Sequence, residues 1–75
     1  MTVILVALDE FHAKDGMIRL GQLLKAAGLV DSGGDAKLLL ASQEVRVNGE
    51  LEARRGRQLV PGDEVQVGDA VVRIT

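Results

Sequence analysis

The chain has 75 residues, enough for one domain with a small core, because a chain this short buries only about 60% of its unfolded surface. It has no cysteine and a single histidine, which excludes a disulfide framework and a zinc site of the Cys/His type. Phe11 is the only aromatic residue, so the chain lacks the aromatic platforms on which many modules stack single-stranded RNA.

The net charge is −2, but the charges are unevenly distributed along the chain. The segment from Lys37 to Arg57 carries five basic and three acidic residues, a balance of +2, and the rest of the chain carries −4. A basic segment within an acidic chain predicts a polyanion as partner.

The N-terminal run Val3–Leu8 is apolar and β-rich. It predicts a strand that is buried on both faces or added to a sheet edge; a loosely ordered leader is the alternative. The run has no basic flank or cleavage site and is too short to cross a bilayer, so neither a signal peptide nor a membrane anchor is predicted. Residues Asp9–Gly16 are predicted to form a connection, in which His12 is a surface histidine rather than a catalyst.

Two short helices are predicted next. Leu20, Leu23, Leu24 and Ala27 have the spacing of one apolar helix face, and Gly28 is a natural left-handed stop. A second helix then begins close behind the first, so the two are expected to form a helical hairpin.

The second helix begins at Ser32, a strong N-cap residue, with Asp35 three positions later as in a capping box. Gly33 and Gly34 lower helix propensity in its first turn. They leave backbone amides bare for an anion, or they permit a sharp turn between helices; both interpretations stay open. Lys37 lies off the apolar stripe.

A two-residue period then predicts strands. Val45 and Val47 should face the core and Arg46 the solvent, and Asn48-Gly49 is a strong hairpin signal. Leu51 and Ala53 are expected to continue on the returning strand.

An exposed turn, Arg54–Arg57, follows, and further strands are separated by turns at Pro61–Asp63 and Gly68-Asp69. The predicted fold class is α+β: a helical hairpin followed by a small antiparallel sheet, which the N-terminal strand could complete.

These residues together resemble the S4 RNA-binding domain, named for a protein of the small ribosomal subunit. The motifs are Ile18–Lys25, Ser32–Lys37, Val45–Gly49, Arg54–Arg57 and Pro61–Asp63. The similarity covers roughly residues 18–67, and the joint occurrence of SGG and RRGR is typical of short stand-alone bacterial members. It implies an αL-type S4 fold over residues 18–75, preceded by a strand and connection over 1–17, all within a single domain.

The resemblance also implies an RNA surface formed by the start of the second helix, its basic face and the loops of the following strands. The residues implied are Ser32, Gly33, Gly34, Lys37, Asn48, Gly49, Arg54, Arg55 and Arg57, with Arg19 and Lys25 as weaker candidates. Many members have a basic residue directly after the cap serine, where this chain has Gly33, which shifts the expected affinity towards the arginines.

The sequence therefore predicts a non-catalytic module that binds structured RNA, either ribosomal RNA or tRNA, through phosphate and shape contacts. A role in ribosome assembly or translation is expected, in the cytoplasm, with no membrane, metal or cofactor. A ribosomal or RNA-modifying protein is a candidate further partner.

The sequence also bears on two other classes of function, a carrier or partner protein and an enzyme. A sulfur-carrier-like protein would need a C-terminal Gly-Gly, whereas this chain ends Arg73-Ile74-Thr75; a partner protein binding through the Val3–Leu8 edge remains the alternative. An enzyme is not expected, because the sequence has no cysteine nucleophile, no histidine beside a serine and no P-loop ending.

Overall fold

The computed structural model of the protein describes residues 7–75. The elements in chain order are β1 Ala7–Phe11, β2 Ile18–Arg19, α1 Leu20–Ala26, α2 Gly33–Ala41, β3 Val45–Val47, β4 Glu50–Leu51, β5 Gln58–Leu59, β6 Glu64–Val67 and β7 Ala70–Ile74. The predicted α+β class is confirmed: a helical hairpin precedes most of the strands.

The strands form two sheets. The larger has five strands in the order β1-β7-β6-β3-β4, and the smaller pairs β2 with β5. Every pair is antiparallel except β1 with β7, which is parallel. The antiparallel sheet predicted from the sequence is thus extended by one parallel edge strand, which makes it a mixed sheet.

The N-terminal strand lies later than the sequence predicted. Residues 3–6 of the predicted strand fall outside the described part of the chain, and β1 continues through Asp9, Glu10 and Phe11, which had been assigned to a connection. That assignment was wrong because charged residues are tolerated on an edge strand. Their backbones pair with β7 in register, as in the partnership of Phe11 with Ile74.

The helical hairpin forms as predicted. Leu20, Leu23 and Leu24 of α1 are fully buried, and Gly28 has φ +76°, the left-handed conformation that favours glycine after a helix. The amides of Leu29 and the next residue both donate to the Leu24 carbonyl, at 2.9 and 3.2 Å. The chain therefore turns tightly from α1 towards α2.

The hairpin of β3 and β4 has the predicted register. Val45 and Val47 are buried and Arg46 is exposed. Asn48 and Gly49 both have positive φ, 53° and 86°, as a type I′ turn requires.

The returning strand is shorter than predicted, because β4 ends at Leu51 and does not reach Ala53. Leu51 is 52% exposed and Ala53 lies outside β4, whereas Glu52 is only 9% exposed. Leu51 pairs with Arg46 on the solvent face, and residues paired across strands share a face. The Glu52 amide donates to the Val45 carbonyl, so the Glu52 side chain lies on the inner side.

The core is entirely aliphatic among the residues that the structure describes. Its buried members are Ala13, Leu20, Leu23, Leu24, Ala36, Leu40, Val45, Val47, Leu59, Val65, Val72 and Ile74. Between residues 7 and 75, neither helix is long and apolar enough to cross a membrane.

Candidate nucleic-acid interface

The turn Arg54–Arg57, called here the arginine turn, is fixed to the start of α1. The amides of Leu20 and Gly21 donate to the carbonyls of Arg57 and Arg55, at 2.8 and 2.9 Å. Amides in the first turn of a helix have no partner within the helix, so the arginine turn satisfies two of them. The loop of three arginines is therefore part of the packed structure.

The first turn of α1 packs against the arginine turn at Gly21. A Cβ atom at this position would lie 3.5 Å from Cβ, Cγ and the carbonyl oxygen of Arg55. Arg19 adds a second contact, because its guanidinium donates to the Gly56 carbonyl at 3.1 Å. Arg19 and Arg55 are thereby placed on the same part of the surface.

Glu52 pairs with the two outer arginines of the turn. Its carboxylate accepts two hydrogen bonds from the Arg54 guanidinium, at 3.1 and 3.0 Å, and one from Arg57 at 2.9 Å. It also accepts hydrogen bonds from the backbone amides of Ala53 and Arg54. The pKa of Glu52 is lowered from 4.5 to about 2, chiefly by the side-chain hydrogen bonds from Arg54. Burial alone would raise this pKa, and the hydrogen bond from Arg57 lowers it further.

The three arginines therefore differ in the charge they offer a ligand. The sequence predicted an exposed turn, whereas Arg54 and Arg57 share a buried carboxylate and Arg57 is only half-exposed. Arg55 is exposed and forms no salt bridge within residues 7–75. Of the three, Arg55 presents its charge most completely to a ligand.

A cavity of about 320 Å³, called here the basic cleft, lies between α1, the arginine turn and the start of α2. Its lining residues are Arg19, Gly21, Gln22, Lys25, Gly33, Ala36, Arg55 and Gly56. Among the described residues, three cationic side chains line the cleft and no carboxylate does, so its chemistry favours an anion. The cleft unites four predicted site residues from three separate motifs: Arg19, Lys25, Gly33 and Arg55.

The start of α2 has its predicted cap, although the capping box is half formed. Ser32 Oγ accepts the Asp35 amide at 3.2 Å, and the described structure contains no reciprocal bond from the Asp35 side chain. A Cβ at Gly33 would meet nothing within 4 Å, and at Gly34 only Ser32 Oγ at 3.8 Å. Neither glycine has positive φ. The turn between the helices therefore does not require glycine at these two positions.

Lys37 lies one turn after Gly33 on α2. Residues four apart share a helix face, so this exposed lysine extends the side of α2 that lines the basic cleft.

Asn48 has a different environment from the residues of the basic cleft. Its side-chain amide donates to Asp63 Oδ1 and its carbonyl accepts the Glu64 amide, both at 3.0 Å. The pKa of Asp63 is lowered, chiefly because its carboxylate accepts the Val60 amide and also because of Asn48. Asn48 thus joins two turns, and neither Asn48 nor Gly49 lines the cleft.

Four residues of this surface were not predicted from the sequence: the lining residues Gly21, Gln22 and Gly56, and Glu52, which holds Arg54. Gly21 had a usable signal, because a glycine in the first turn of a helix lowers helix propensity just as Gly33 does. Glu52 carried no comparable signal, since its burial depends on the strand phase after the Asn48-Gly49 turn.

The sequence is similar to a known family and to known proteins. The S4 domain family matches residues 11–75. The chain is 53% identical over 51 residues to the "Probable ribosome maturation protein RlbA" of Bacillus subtilis, covering 68% of this chain and 72% of that relative. It is 33% identical over 57 residues to the "Putative RNA-binding protein YbcJ" of Escherichia coli, covering 76% of this chain and 81% of that protein.

A third similarity concerns a much longer protein. The tyrosine–tRNA ligase of Thiobacillus denitrificans is 41% identical over 61 residues, which is 79% of this chain but 15% of the ligase. The shared part is thus a small fraction of that enzyme. With a family match over residues 11–75, the chain belongs to the S4 domain family.

Proposed function

We propose that the chain binds structured RNA, either ribosomal RNA or tRNA, in the basic cleft. The RNA-binding role predicted from the sequence is confirmed by the S4 domain match and by the relatives' names. One observation carries the choice of site: Arg19, Lys25 and Arg55 come from distant positions and line one cleft without a carboxylate.

The cleft offers two kinds of contact to an RNA backbone. Its arginine and lysine side chains can neutralise phosphates, and arginine can donate two parallel hydrogen bonds to one phosphate. The bare amides at Gly33 and Gly34 can donate hydrogen bonds to a further phosphate, since a helix N-terminus favours negative charge. Such contacts position the protein on RNA without reading its sequence.

The biological step follows from the relative named for ribosome maturation. The chain shares 53% identity with that protein over most of both lengths, which supports a role in ribosome assembly. On this proposal the chain acts in the cytoplasm, without catalysis of its own, and with a ribosomal or RNA-modifying protein as a further partner. The division into residues 1–17 and an S4 unit of 18–75 is part of the same proposal.

The test compares two substitutions that remove the same charge. Arg55→Ala removes a cation from the basic cleft, and Arg73→Ala removes one from β7, where Arg73 pairs with Glu64 at 3.3 Å. Affinity for ribosomal RNA should fall about tenfold for Arg55→Ala at low salt, and its log–log salt slope should decrease by about one. Arg73→Ala should bind RNA like the parent.

Equal losses in the two variants would contradict the cleft as the binding surface, because net charge alone would then set the affinity. The RNA itself can be identified by crosslinking in cells and sequencing of the bound fragments. Recovery of no RNA above background would favour the alternative of a protein-binding partner.

A further inference from the structure

A second groove borders α1 next to the basic cleft. It has a volume of about 350 Å³ and is called here the loop groove, because the segment between β1 and β2 forms one of its walls. Gln22 lines both the basic cleft and the loop groove. A ligand leaving the cleft across Gln22 would therefore enter this groove directly.

The wall of the loop groove is held in place by backbone hydrogen bonds. Ala13 is buried, its amide donates to the Thr75 carbonyl at 2.9 Å, and its carbonyl accepts the Gly16 amide at 3.0 Å. The Thr75 amide in turn donates to the Phe11 carbonyl at 2.9 Å. The groove is thus preformed, and a ligand need not order the segment to bind.

The chemistry of the loop groove differs from that of the basic cleft. Its apolar part includes Phe11, Met17 and Ile18, and its charged lining residues, Lys14 and Asp15, have opposite signs. With no net positive charge from that pair, the groove is not suited to a phosphate. It fits a flat, neutral group with an apolar face and a hydrogen-bonding edge.

Hydrogen-bonding groups are available at this groove. The Gln22 side chain accepts the Arg19 amide through Oε1 at 3.2 Å, a contact that does not use its Nε2 donor. His12 is exposed and lines the same groove. A nucleobase has both properties required here, since every base has a π-face and an edge of donors and acceptors.

We propose that the loop groove binds one unpaired nucleobase of the RNA whose phosphates occupy the basic cleft. The inference rests on the proposed function, and the shared lining residue Gln22 supplies the continuity between the two sites. Phe11, the only aromatic residue of the chain, is partly buried against the core and lines the groove, so on this proposal its remaining exposed surface contacts a single base. The protein therefore prefers RNA with a bulged or looped nucleotide over a fully paired helix.

The test uses the full chain and two hairpin RNAs. One has a single nucleotide bulged from its stem, and the other is identical except that the bulged nucleotide lacks its base. Both carry the same phosphates, and phosphate contacts do not depend on sequence. The parent protein should bind the RNA with the base about 5- to 150-fold more tightly, the range expected for stacking of one base.

Three variants separate the two sites. Phe11→Leu retains an apolar side chain but removes the aromatic face, and it should abolish the preference for the base. Phe11 packs against the core, so Met17→Ala, at a residue 38% exposed, provides a second variant that is safer for folding and should also reduce the preference. Arg55→Ala should weaken binding of both RNAs and leave their ratio unchanged.

The outcomes distinguish this inference from the proposed function. Equal affinity of the parent for the two hairpins would overturn the base site while leaving RNA binding by the cleft intact. A preference that survives in both Phe11→Leu and Met17→Ala would also overturn it, because the base would then lie elsewhere. Failure of the parent to bind either hairpin at low salt would overturn both.

Discussion

Replacing Glu52 by glutamine should destabilise the fold, because this residue follows β4, bonds through its amide to Val45 of β3 and holds two arginines of the arginine turn through its carboxylate. Glutamine has almost the same shape and retains a carbonyl that can accept the backbone amides of Ala53 and Arg54. It loses the charge that attracts the guanidinium groups of Arg54 and Arg57, and it places an amide donor near them. The substitution thus isolates the ionic part of the interaction.

The magnitude follows from the pKa of Glu52, which falls from 4.5 to about 2. A shift of this size corresponds to at most about 3 kcal/mol at neutral pH. Arg54 is 73% exposed, so solvent screening reduces the expected loss to about 1–2 kcal/mol. For a domain of this size, such a loss lowers Tm by about 5–15 °C.

The pH dependence of the free energy of unfolding provides the result that could refute this reasoning. Because folding lowers the pKa, the carboxylate stabilises the parent fully above pH 4.5 and progressively less as pH falls towards 2. The stability gap between parent and Glu52→Gln should therefore close in that range. Urea unfolding followed by far-UV circular dichroism is suitable, since the chain has no Trp or Tyr. A gap that is absent at pH 7, or unchanged at pH 2.5, would refute the reasoning.

Glu64→Gln is the matched control for Glu52→Gln. Glu64 also pairs with an arginine, at 3.3 Å, but both side chains are well exposed, 40% and 45%. An exposed pair of this kind contributes little, so stability should change by less than about 0.5 kcal/mol.

Three further outcomes are expected. If about four phosphates are contacted, the log of RNA affinity should fall against the log of salt with a slope of about −3 to −4, and a flat response in filter binding would exclude the basic cleft as the surface. Gly34→Val should fold, because its Cβ has room. It should bind RNA more weakly than the parent, with a smaller change of salt slope than Arg55→Ala causes. If the folded variant binds RNA like the parent, the amides contact no phosphate. Asn48→Ala should lower the free energy of unfolding by about 1–2 kcal/mol and leave the salt slope unchanged, whereas a changed slope would place Asn48 in the interface.

The local parts of the fold were predictable from the sequence. The spacing of Leu20, Leu23 and Leu24 defines a helix face, and Asn48-Gly49 defines a turn in which both residues need positive φ. These signals depend only on neighbouring residues. The resemblance to the S4 domain indicated how these local elements combine into the correct fold class.

The long-range parts were not predictable in the same way. The parallel pairing of β1 with β7 joins the two ends of the chain, and no local period encodes such a partner. The burial of Glu52 depends on two arginines that reach back to it from the following turn. The alternating pattern alone gives no reason to expect a buried carboxylate next to the exposed Leu51.

The pairing of Glu52 also bears on the proposed RNA site, which lies in a chain of net charge −2. One buried carboxylate holds two arginines by their guanidinium groups, while the backbone of the turn bonds to the start of α1. This arrangement fixes the backbone that carries Arg55 and leaves its side chain exposed at the cleft. The field in the cleft is then dominated by its lining cations Arg55, Arg19 and Lys25, because charges beyond about 8 Å are largely screened at physiological salt. Distant acidic residues therefore weaken RNA binding less than the net charge suggests.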